Sequence, residues 1–288
     1  MKIITHNGHF HTDELLAVAV LLVKYPDAEV VRSRDEQLIA EADIAVDVGQ
    51  IYNAEALRFD HHQTPGPEKR ENGIPYAALG LVWKKFGEEI AGSVEAAIIV
   101  EERLIFTVDA LDNGVEMCDP RFEGVHEYTV GDYFESFASE AETMENYDQI
   151  FMETLPIAGR FLKRLVGNAK RTVKDWKETI AAYEASEDKR LIILPRHASW
   201  KNVLIPTEAL FVVYPRQDGR WGAQAVPKSI HGFENKKKFP ASWAGKVDDE
   251  LVELTSVPDA FFCHKSLHLT VTNTKEGAIK LAEIALNS

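Results

Sequence analysis

Cysteine is almost missing from this chain of 288 residues, which contains only Cys118 and Cys263. Two cysteines so far apart in the sequence predict neither a disulfide framework nor a cysteine-rich zinc site, and they indicate a reducing compartment. Long hydrophobic runs are missing as well. No stretch approaches the roughly 18 apolar residues that a membrane span requires, and the first residues do not resemble a signal peptide. We therefore expect a cytoplasmic protein with no membrane partner.

Basic residues are in the minority. The chain has 32 lysines and arginines against 46 acidic residues, a formal net charge of -14 and a pI of about 5.2. This balance argues against a broad basic surface of the kind that coats duplex nucleic acid, although it allows a local basic groove. Hydrophobic residues make up 45% of the chain, so a sizeable core can form, and the length predicts two lobes rather than one.

Strand-like and helix-like stretches alternate over the first part of the chain. The strand candidates are short runs rich in valine and isoleucine, namely KIIT at 2–5, AEVVRSR at 28–34, DIAVDVG at 43–49 and LRFDHH at 57–62. Helical patterns occupy DELLAVAVLLVKY, RDEQLIAEA, PYAALGLVWKKFG and SVEAAIIVEERLIFTVDALDNG. This alternation indicates βαβ units, so we predict an α/β fold with a parallel, doubly wound sheet in the first lobe.

The second half of the chain has a different pattern. A helix-rich stretch at 140–185 carries many of the lysines and arginines and is typical of a connector between lobes. Further on, Asp218-Gly219 between two alternating runs predicts a hairpin turn, and the chain ends in a strand, a loop and a closing helix capped by Thr274. The predicted catalytic domain, helical connector and smaller α/β domain occupy 1–135, 136–190 and 191–288.

Histidines and carboxylates follow the predicted strands of the first lobe. His6 follows the first strand, Asp47 ends the third, and Asp60, His61 and His62 close the fourth. Ligand sites of parallel sheets form at the carboxyl ends of the strands, so we expect these side chains to converge at one edge. Further candidates are His9, His11 and Asp13 in the first loop, and Asp109 and Asp112 at the end of a later helix. Of the last two, Asp109 is preferred.

The candidate ligands narrow the choice of metal. Histidines and carboxylates without a thiol suit Mn²⁺, Zn²⁺, Fe²⁺ or Co²⁺ better than Mg²⁺ or Ca²⁺. The candidates are more numerous than one ion uses. Two ions about 3.5–4 Å apart, bridged by a carboxylate and a water, would use them all, and such pairs typically drive displacement at phosphorus. The residues therefore predict hydrolysis of a phosphoester or phosphoanhydride.

Several motifs together resemble a known family. THNGHFHTDELLA, RSRD, VDVG, RFDHHQ, GLVWKKFG and DALDNG, followed by WGAQAVPKS and FCHKSLH, are similar in type and order to the melanocyte-proliferating-gene family, a branch of the DHH phosphoesterase superfamily. The resemblance covers nearly the whole chain. It implies a DHH-type catalytic lobe with a smaller substrate lobe, and a metal-dependent phosphodiesterase that acts as a 3′-5′ exonuclease on RNA or short oligonucleotides.

The resemblance also implies roles for individual residues. Two divalent ions are expected, with Mn²⁺ preferred and Zn²⁺, Co²⁺ or Mg²⁺ as alternatives. The implied ligands are His6, His11, Asp13, Asp47, Asp60, His61 or His62, and Asp109 or Asp112. Asp60, His61 and His62 are the implied catalytic residues, and the imidazole of the pair that is not a ligand would donate a proton to the leaving oxygen.

Phosphate needs positive charge as well as metal. Arg32 and Arg34 follow the second predicted strand, where guanidinium groups can contact phosphate oxygens. Lys228, His264 and Lys265 in the second lobe are candidates to bind the other end of the substrate. The expected partner is therefore a phosphate-containing substrate, single-stranded RNA or a short oligonucleotide, and a homodimer is a compatible assembly.

Two departures from the family pattern and two alternative functions accompany this prediction. Residues 76–80 replace a serine-containing segment and 264–268 replace a glycine-containing loop, which predicts a different or smaller substrate, or slow turnover.

HFH in the first loop is also typical of zinc amidohydrolases, which hydrolyse C–N bonds on an eight-stranded barrel. The non-enzymatic alternative is an RNA-binding protein whose catalytic site has decayed.

Overall fold

Two five-stranded sheets with helices form the protein, which confirms the predicted α/β fold class. The structure, a computed structural model, describes residues 1–66, 68–139 and 141–288. Two compact units divide the chain, Met1–Lys170 and Arg171–Ser288. The three-part division at 1–135, 136–190 and 191–288 stays a prediction, and Glu140 of the connector lies outside the described residues. Among the described helices, none combines the length and apolarity needed to cross a membrane.

The sheet of the first unit brings three site-bearing strands side by side. Its strands are β1 Lys2–Thr5, β2 Glu29–Arg32, β3 Ile44–Val46, β4 Tyr52–Asn53 and β5 Arg58–Phe59. The order is β2-β1-β3-β5-β4, and all pairs are parallel except β4 with β5, so the sheet is mixed rather than wholly parallel. Because β1, β3 and β5 are parallel neighbours, their carboxyl ends lie at the same edge.

The helices of the first unit follow the predicted order. Helix α1, Thr12–Lys24, is apolar on all sides because it is buried along ten consecutive residues. It packs against α3, Ala78–Ala91. Helix α2 packs through Ile39 against Ile4 and Ala45 of the sheet. The bounds are α1 Thr12–Lys24, α2 Glu36–Glu41, α3 Ala78–Ala91, α4 Val94–Val100, α5 Phe106–Asp112, α6 Val130–Glu135 and α7 Met144–Ala185, the last of which continues into the second unit.

One irregular turn joins α4 to α5. The single long helix expected after residue 93 contains a π-helical turn at Glu101–Ile105. Arg70 donates to Glu101 and to the buried Asp109, at 2.7 Å each, and stacks on the Tyr76 ring at 3.8 Å. Asp109 also accepts from the backbone N–H of Gly80 at 3.0 Å. This buried ion pair ties the segment before α3 to α5.

The second unit is built on a mixed sheet of order β6-β7-β8-β10-β9. The predicted hairpin turn is confirmed, since Gly219 at φ 82° joins the antiparallel β7 and β8, and Thr274 caps the last helix by accepting from Gly277 N–H. The end of the chain contains two antiparallel strands where one was predicted. The elements are β6 Leu191–Ile193, α8 Lys201–Leu204, β7 Phe211–Pro215, β8 Trp221–Ala225, α9 Asp248–Thr255, β9 Ala260–Cys263, β10 Leu269–Thr272 and α10 Lys275–Asn287.

This topology contradicts the barrel that the amidohydrolase alternative requires. That barrel needs eight parallel strands, each followed by a helix. The described residues instead form two separate five-stranded sheets, both with antiparallel pairs.

Alanine at position 80 should destabilise the first unit. A Cβ on Gly80 would collide with the carboxylate of Asp109 and crowd the Arg70 guanidinium, so Gly80→Ala should cost about 3 kcal/mol or more in the free energy of unfolding. Gly159→Ala is the matched control, because a Cβ there meets nothing within 4 Å in helix α7, and it should stabilise by up to about 1 kcal/mol. Urea unfolding of both variants measures the difference, and equal stabilities would contradict this account of the ion pair.

Candidate metal centre

The first loop and the start of α1 place a histidine against a buried glutamate. His6 follows β1, and its Nε2 lies 2.9 Å from Glu14 Oε1 and 3.3 Å from Asp47 Oδ2. Glu14 is completely buried in the first turn of α1, and its other oxygen accepts from the backbone N–H of His11 at 2.8 Å. This bond fixes the carboxylate that faces His6, in a turn where acids are favoured by the helix dipole.

Asp47 stands at the centre of the cluster. It follows β3 with φ 52°, a left-handed conformation that aspartate tolerates better than most residues, and its N–H donates to Phe59 O at 3.0 Å. Its two oxygens face different partners. Oδ2 faces His6, while Oδ1 lies 3.3 Å from both His61 Nε2 and His62 Nδ1. A carboxylate with this arrangement can bridge two cations.

The three residues after β5, Asp60, His61 and His62, make different contacts. Asp60 accepts from Gln50 N–H at 2.6 Å and from the backbone N–H of His62 at 2.9 Å, and its Oδ1 also lies 2.9 Å from His62 Nδ1. These contacts occupy both Asp60 oxygens, so the residue orients His62. His61 instead contacts Asp112, with 3.2 Å between Nε2 and Oδ2.

Asp13 connects α1 to the start of α3. Its Oδ2 accepts from Ala78 N–H at 3.2 Å, while its Oδ1 has no hydrogen-bond partner among the described residues. It lies with His11 and Asp112 in a group whose candidate ligand atoms are all within 4.8 Å of one another. Helix α5 therefore contributes Asp112 to the same edge as the strands.

Three groups of side chains at this edge have the spacing that a metal ion needs. In each, the candidate ligand atoms lie within 4.8 Å of one another. Asp47 belongs to two of the groups and His11 belongs to two, so the groups are contiguous. They are His6, His11, Glu14 and Asp47; Asp47, His61 and His62; and His11, Asp13 and Asp112.

Several buried atoms of the cluster lack a well-formed hydrogen bond within the described chain: Asp13 Oδ1, Glu14 Oε1, Asp47 Oδ1 and His61 Nε2. Glu14 Oε1 lies close to His6, and Asp47 Oδ1 and His61 Nε2 lie close to each other, but these contacts do not have hydrogen-bonding geometry. Buried polar atoms are normally paired, because an unpaired one costs free energy. Imidazole nitrogens and carboxylate oxygens directed at one another in this way fit the donor set of divalent transition metals.

Neighbouring carboxylates control the protonation of the histidines in the cluster. Burial alone would lower the pKa of His6, but the Asp47 and Glu14 carboxylates outweigh it and raise that pKa to about 9. Burial is likewise outweighed at His61, where Asp112 and Asp47 raise the pKa to about 9, and Asp47 and Asp60 raise the pKa of His62 to about 10. The imidazolium pairs of His6 and His61 stabilise the cation-free protein fully below about pH 6.5, and this stabilisation is lost as the pH rises through about 9.

The carboxylates shift in opposite directions. Burial, reinforced by Asp47, Asp112 and Glu14, raises the pKa of Asp13 well above its usual range. Asp47 is also buried, yet its imidazole neighbours lower its pKa below the usual range. The cluster therefore holds one acid that retains its proton readily and one that stays ionised, as expected where burial and paired charges compete.

Two predicted residues of this edge are engaged elsewhere. Asp109, which the sequence favoured over Asp112, pairs with Arg70 and Gly80, and burial raises its pKa to about 7. Asp112, by contrast, is the acid that contacts His61, and which of the two acids is a metal ligand stays a prediction. Arg32 is buried in an ion pair with Asp148 at 2.8 Å rather than directed to open space. Its role in substrate binding stays a prediction.

The predicted substrate residues of the second unit occupy separate settings. Lys228 pairs with Glu234 at the surface. His264 Nδ1 lies 2.7 Å from Ser266 Oγ, whose other contact is His268 Nδ1 at 2.8 Å, so the HKSLH loop contains a hydroxyl held between two imidazoles. Lys265 is exposed in this loop. The substrate roles of Lys228, His264 and Lys265 stay predictions.

Glu14 and Asp148 are the participants that sequence reasoning missed. In the sequence Glu14 is typical of an acid in the first turn of a helix, and its position three residues after His11 matches a capping arrangement, which is the one local signal that marks it. Asp148 accepts from the backbone N–H of Gly8 at 3.0 Å and so ties the first loop to α7. No local pattern marks Asp148, because its partner is 140 positions away.

Fold and side chains together define an α/β protein with a histidine–carboxylate cluster that could hold a metal ion. Residues 2–286 match the MYG1_exonuc family, described as "Uncharacterised protein family (UPF0160)". The chain belongs to this MYG1 family.

Similar proteins of known name cover nearly the whole chain. The MYG1 protein of Dictyostelium discoideum is 29% identical over 100% of this chain and 97% of its own length. The MYG1 exonucleases of Rattus norvegicus and Homo sapiens are 31% and 30% identical, each over 99% of this chain, and over 84% and 85% of their own lengths. The family therefore includes proteins named as exonucleases.

Metal binding to this centre should release protons at neutral pH. His6 and His61 are protonated there in the cation-free protein, so a metal has to displace their protons. Mn²⁺ affinity should therefore rise between about pH 7 and about pH 8.5, by up to about tenfold per pH unit for each proton displaced. Calorimetric titrations in buffers of different ionisation enthalpy measure the affinity and the proton count together. An affinity that is constant or falls over this range would contradict the proposed competition.

Proposed function

We propose that this protein is a metal-dependent phosphoesterase of the DHH type that acts as a 3′-5′ exonuclease on single-stranded RNA or short oligonucleotides. The observation that carries the proposal is Asp47, whose two oxygens face two different groups of candidate ligands. Such an arrangement suits a pair of ions that act on phosphorus. The names of the rat and human relatives supply the exonuclease class.

The proposed ligands are shared between two ions, with Mn²⁺ preferred and Zn²⁺, Co²⁺ or Mg²⁺ as alternatives. When bound, such ions activate water and neutralise charge on the phosphoryl oxygens. A nitrogen-rich set favours Mn²⁺ over Mg²⁺, because Mg²⁺ prefers oxygen ligands. The residues that would hold them are His6, His11, Asp13, Glu14, Asp47, His61 and Asp112. Asp60 has a positioning role in this proposal, because it belongs to none of the three groups of candidate ligands among the described residues and its oxygens hold Gln50 and His62.

His62 is the proposed proton donor. Its side chain is 58% exposed, in contrast to the buried His61, and it lines a cavity of about 780 Å³. Asp60 holds its Nδ1 at 2.9 Å. Asp47 and Asp60 raise the pKa of the ring to about 10 in the metal-free protein. With Asp47 engaged by metal, the Asp60 contact would still favour the protonated ring, which can give a proton to the leaving oxygen or stabilise charge on the phosphoryl group.

Arg34 is the proposed phosphate contact in the same cavity. It lines the cavity together with His6, His9 and Arg58. The Arg58 guanidinium donates to the backbone carbonyls of Ala42 and Asp43 and to others nearby, so no carboxylate neutralises its charge among these contacts. Both guanidinium groups would therefore draw a phosphate-bearing chain towards the centre.

Removing the central carboxylate should abolish hydrolysis. Asp47→Asn, or Asp60→Ala, should lower Mn²⁺-dependent release of nucleotides from single-stranded RNA by at least about 100-fold, because a bridging group or its support is lost. Asp27→Asn is the matched control, since Asp27 is exposed at the end of the α1–β2 connection, and it should retain full activity. Rates near the wild-type value for Asp47→Asn, with an unchanged fold by circular dichroism, would defeat the assignment.

Arg34→Gln should weaken substrate binding more than it slows the chemical step. Loss of one phosphate contact should raise KM for a short RNA by about tenfold at low salt, with a smaller effect on kcat, and should reduce the salt dependence of binding. Arg103→Gln controls for the charge change, because Arg103 is exposed on the π-helical turn. An unchanged KM and salt dependence would remove Arg34 from the proposed site.

A further inference from the structure

A second cavity lies on another flank of the candidate metal centre. It measures about 470 Å³ and shares His11 with the cavity that contains Arg34. The ligand residues are divided between the two cavities. His6, Asp47, Asp60 and His62 line the first, whereas Asp13 and Asp112 line the second. The candidate metal centre therefore has one cavity on each of two flanks, and their linings differ in charge. Beyond the candidate ligands, the first cavity contains Arg34 and Arg58 together with Glu36, whereas the described lining of the second contains no lysine or arginine.

The second cavity is acidic. Beyond the candidate ligands, it is lined by Glu127, Asp132 and Glu135, and none of its described lining residues is a lysine or arginine. Asp132 Oδ2 accepts from the N–H and the hydroxyl of Thr129 at 2.6 and 2.8 Å. Glu127 contacts the Cys118 thiol through one hydrogen bond, and an ionised carboxylate still has further acceptor sites. Glu127 and Glu135 are exposed acceptors at the mouth of this cavity.

An unpaired hydroxyl lines the same cavity. Thr12 is only 6% exposed, and its Oγ1 has no hydrogen-bond partner among the described residues. Buried hydroxyls are normally paired. Thr12 stands at the first position of α1, next to Asp13 and one residue after His11, so its free hydroxyl borders the candidate ligands. A ligand oxygen in the cavity could supply the missing partner.

We propose that this acidic cavity, built from Thr12, Glu127 and Glu135, binds the terminal nucleoside of the RNA through its free 2′ and 3′ hydroxyls and rejects a 3′-phosphate. The inference rests on the proposed exonuclease function and names a specificity site for it. Ionised carboxylates only accept hydrogen bonds, so they suit ribose hydroxyls, which donate. They repel a further phosphate, which only accepts and carries the same charge.

This site explains why cleavage would start at an end. The scissile phosphate lies at the metal centre, and the body of the chain extends through the cavity with Arg34 and Arg58. An internal cut would require the chain to continue through the acidic cavity, where each further phosphate would face Glu127, Asp132 and Glu135. A terminal nucleoside brings no such charge. The two flanks therefore select a free 3′-hydroxyl end by electrostatics.

Binding of two small probes tests the site without relying on catalysis. With Mn²⁺ present, calorimetry should show that cytidine 5′-monophosphate binds at least about tenfold tighter than cytidine 3′,5′-bisphosphate, because the second phosphate meets the acids. Glu127→Gln with Glu135→Gln should reduce this ratio by at least about fivefold. Thr12→Val should weaken the monophosphate by about fivefold, the value of one hydrogen bond.

Glu88→Gln with Glu102→Gln is the matched control, since both acids are exposed on the α3 and π-helical surfaces, and it should leave the ratio unchanged. A ratio that is the same in the wild type, the double variant and the control would overturn the inference. So would a loss of one bound Mn²⁺ in the double variant, because the acids would then form a cation site. A wild type that keeps the predicted ratio but releases no nucleotide from linear RNA would support this nucleoside site while refuting the exonuclease function.

Discussion

The cost of burying several carboxylates at one sheet edge is the constraint on which the site depends. Asp13, Glu14 and Asp47 are each no more than 4% exposed, and ionised carboxylates in such positions are costly unless they are paired. The imidazoles of His6 and His61 offset part of this charge. Strands of only two to four residues hold these groups together. A divalent cation would lower the remaining cost, so the buried charge that destabilises the cation-free fold is also what would favour metal binding.

Two buried arginines support the edge from outside the centre. Arg70 joins the segment before α3 to α5 through Asp109, one turn before Asp112 on the same helix. Arg32 pairs with Asp148 and lies 4.3 Å above the Phe151 ring, which fixes the end of β2 against the first turns of α7. A chain with few basic residues thus places two of them away from water. Guanidinium groups suit this task because their planar donors can serve a carboxylate and an aromatic face together.

The strands that carry the candidate metal centre could be predicted from the sequence, but the roles of neighbouring acidic residues could not. His6, Asp47 and Asp60 could be predicted because parallel strands bring their carboxyl ends to one edge. Asp109 and Asp112 could not be separated, because residues three apart lie on the same side of a helix. Their different partners appear only in the folded protein, where Asp109 contacts Arg70, 39 positions earlier, and Asp112 contacts His61. Glu14 could not be distinguished from an ordinary helix-start acid, because its complete burial and its contact with His6 appear only in the folded protein.

The difference in charge between the two flanks follows from the order of the elements. The flank with Arg34 and Arg58 is formed near β2, β3 and β5, whereas the acidic flank is formed by the start of α1, by α5 and α6, and by the segment between α5 and α6. A polyanion is attracted to the first flank and repelled at the second. If both flanks were basic, RNA could lie across the centre and be cut at any position. Under the proposed function, a protein with a net charge of -14 would bind RNA locally and act only at its end, because the position of its acids, rather than their number, would determine where the RNA chain must stop.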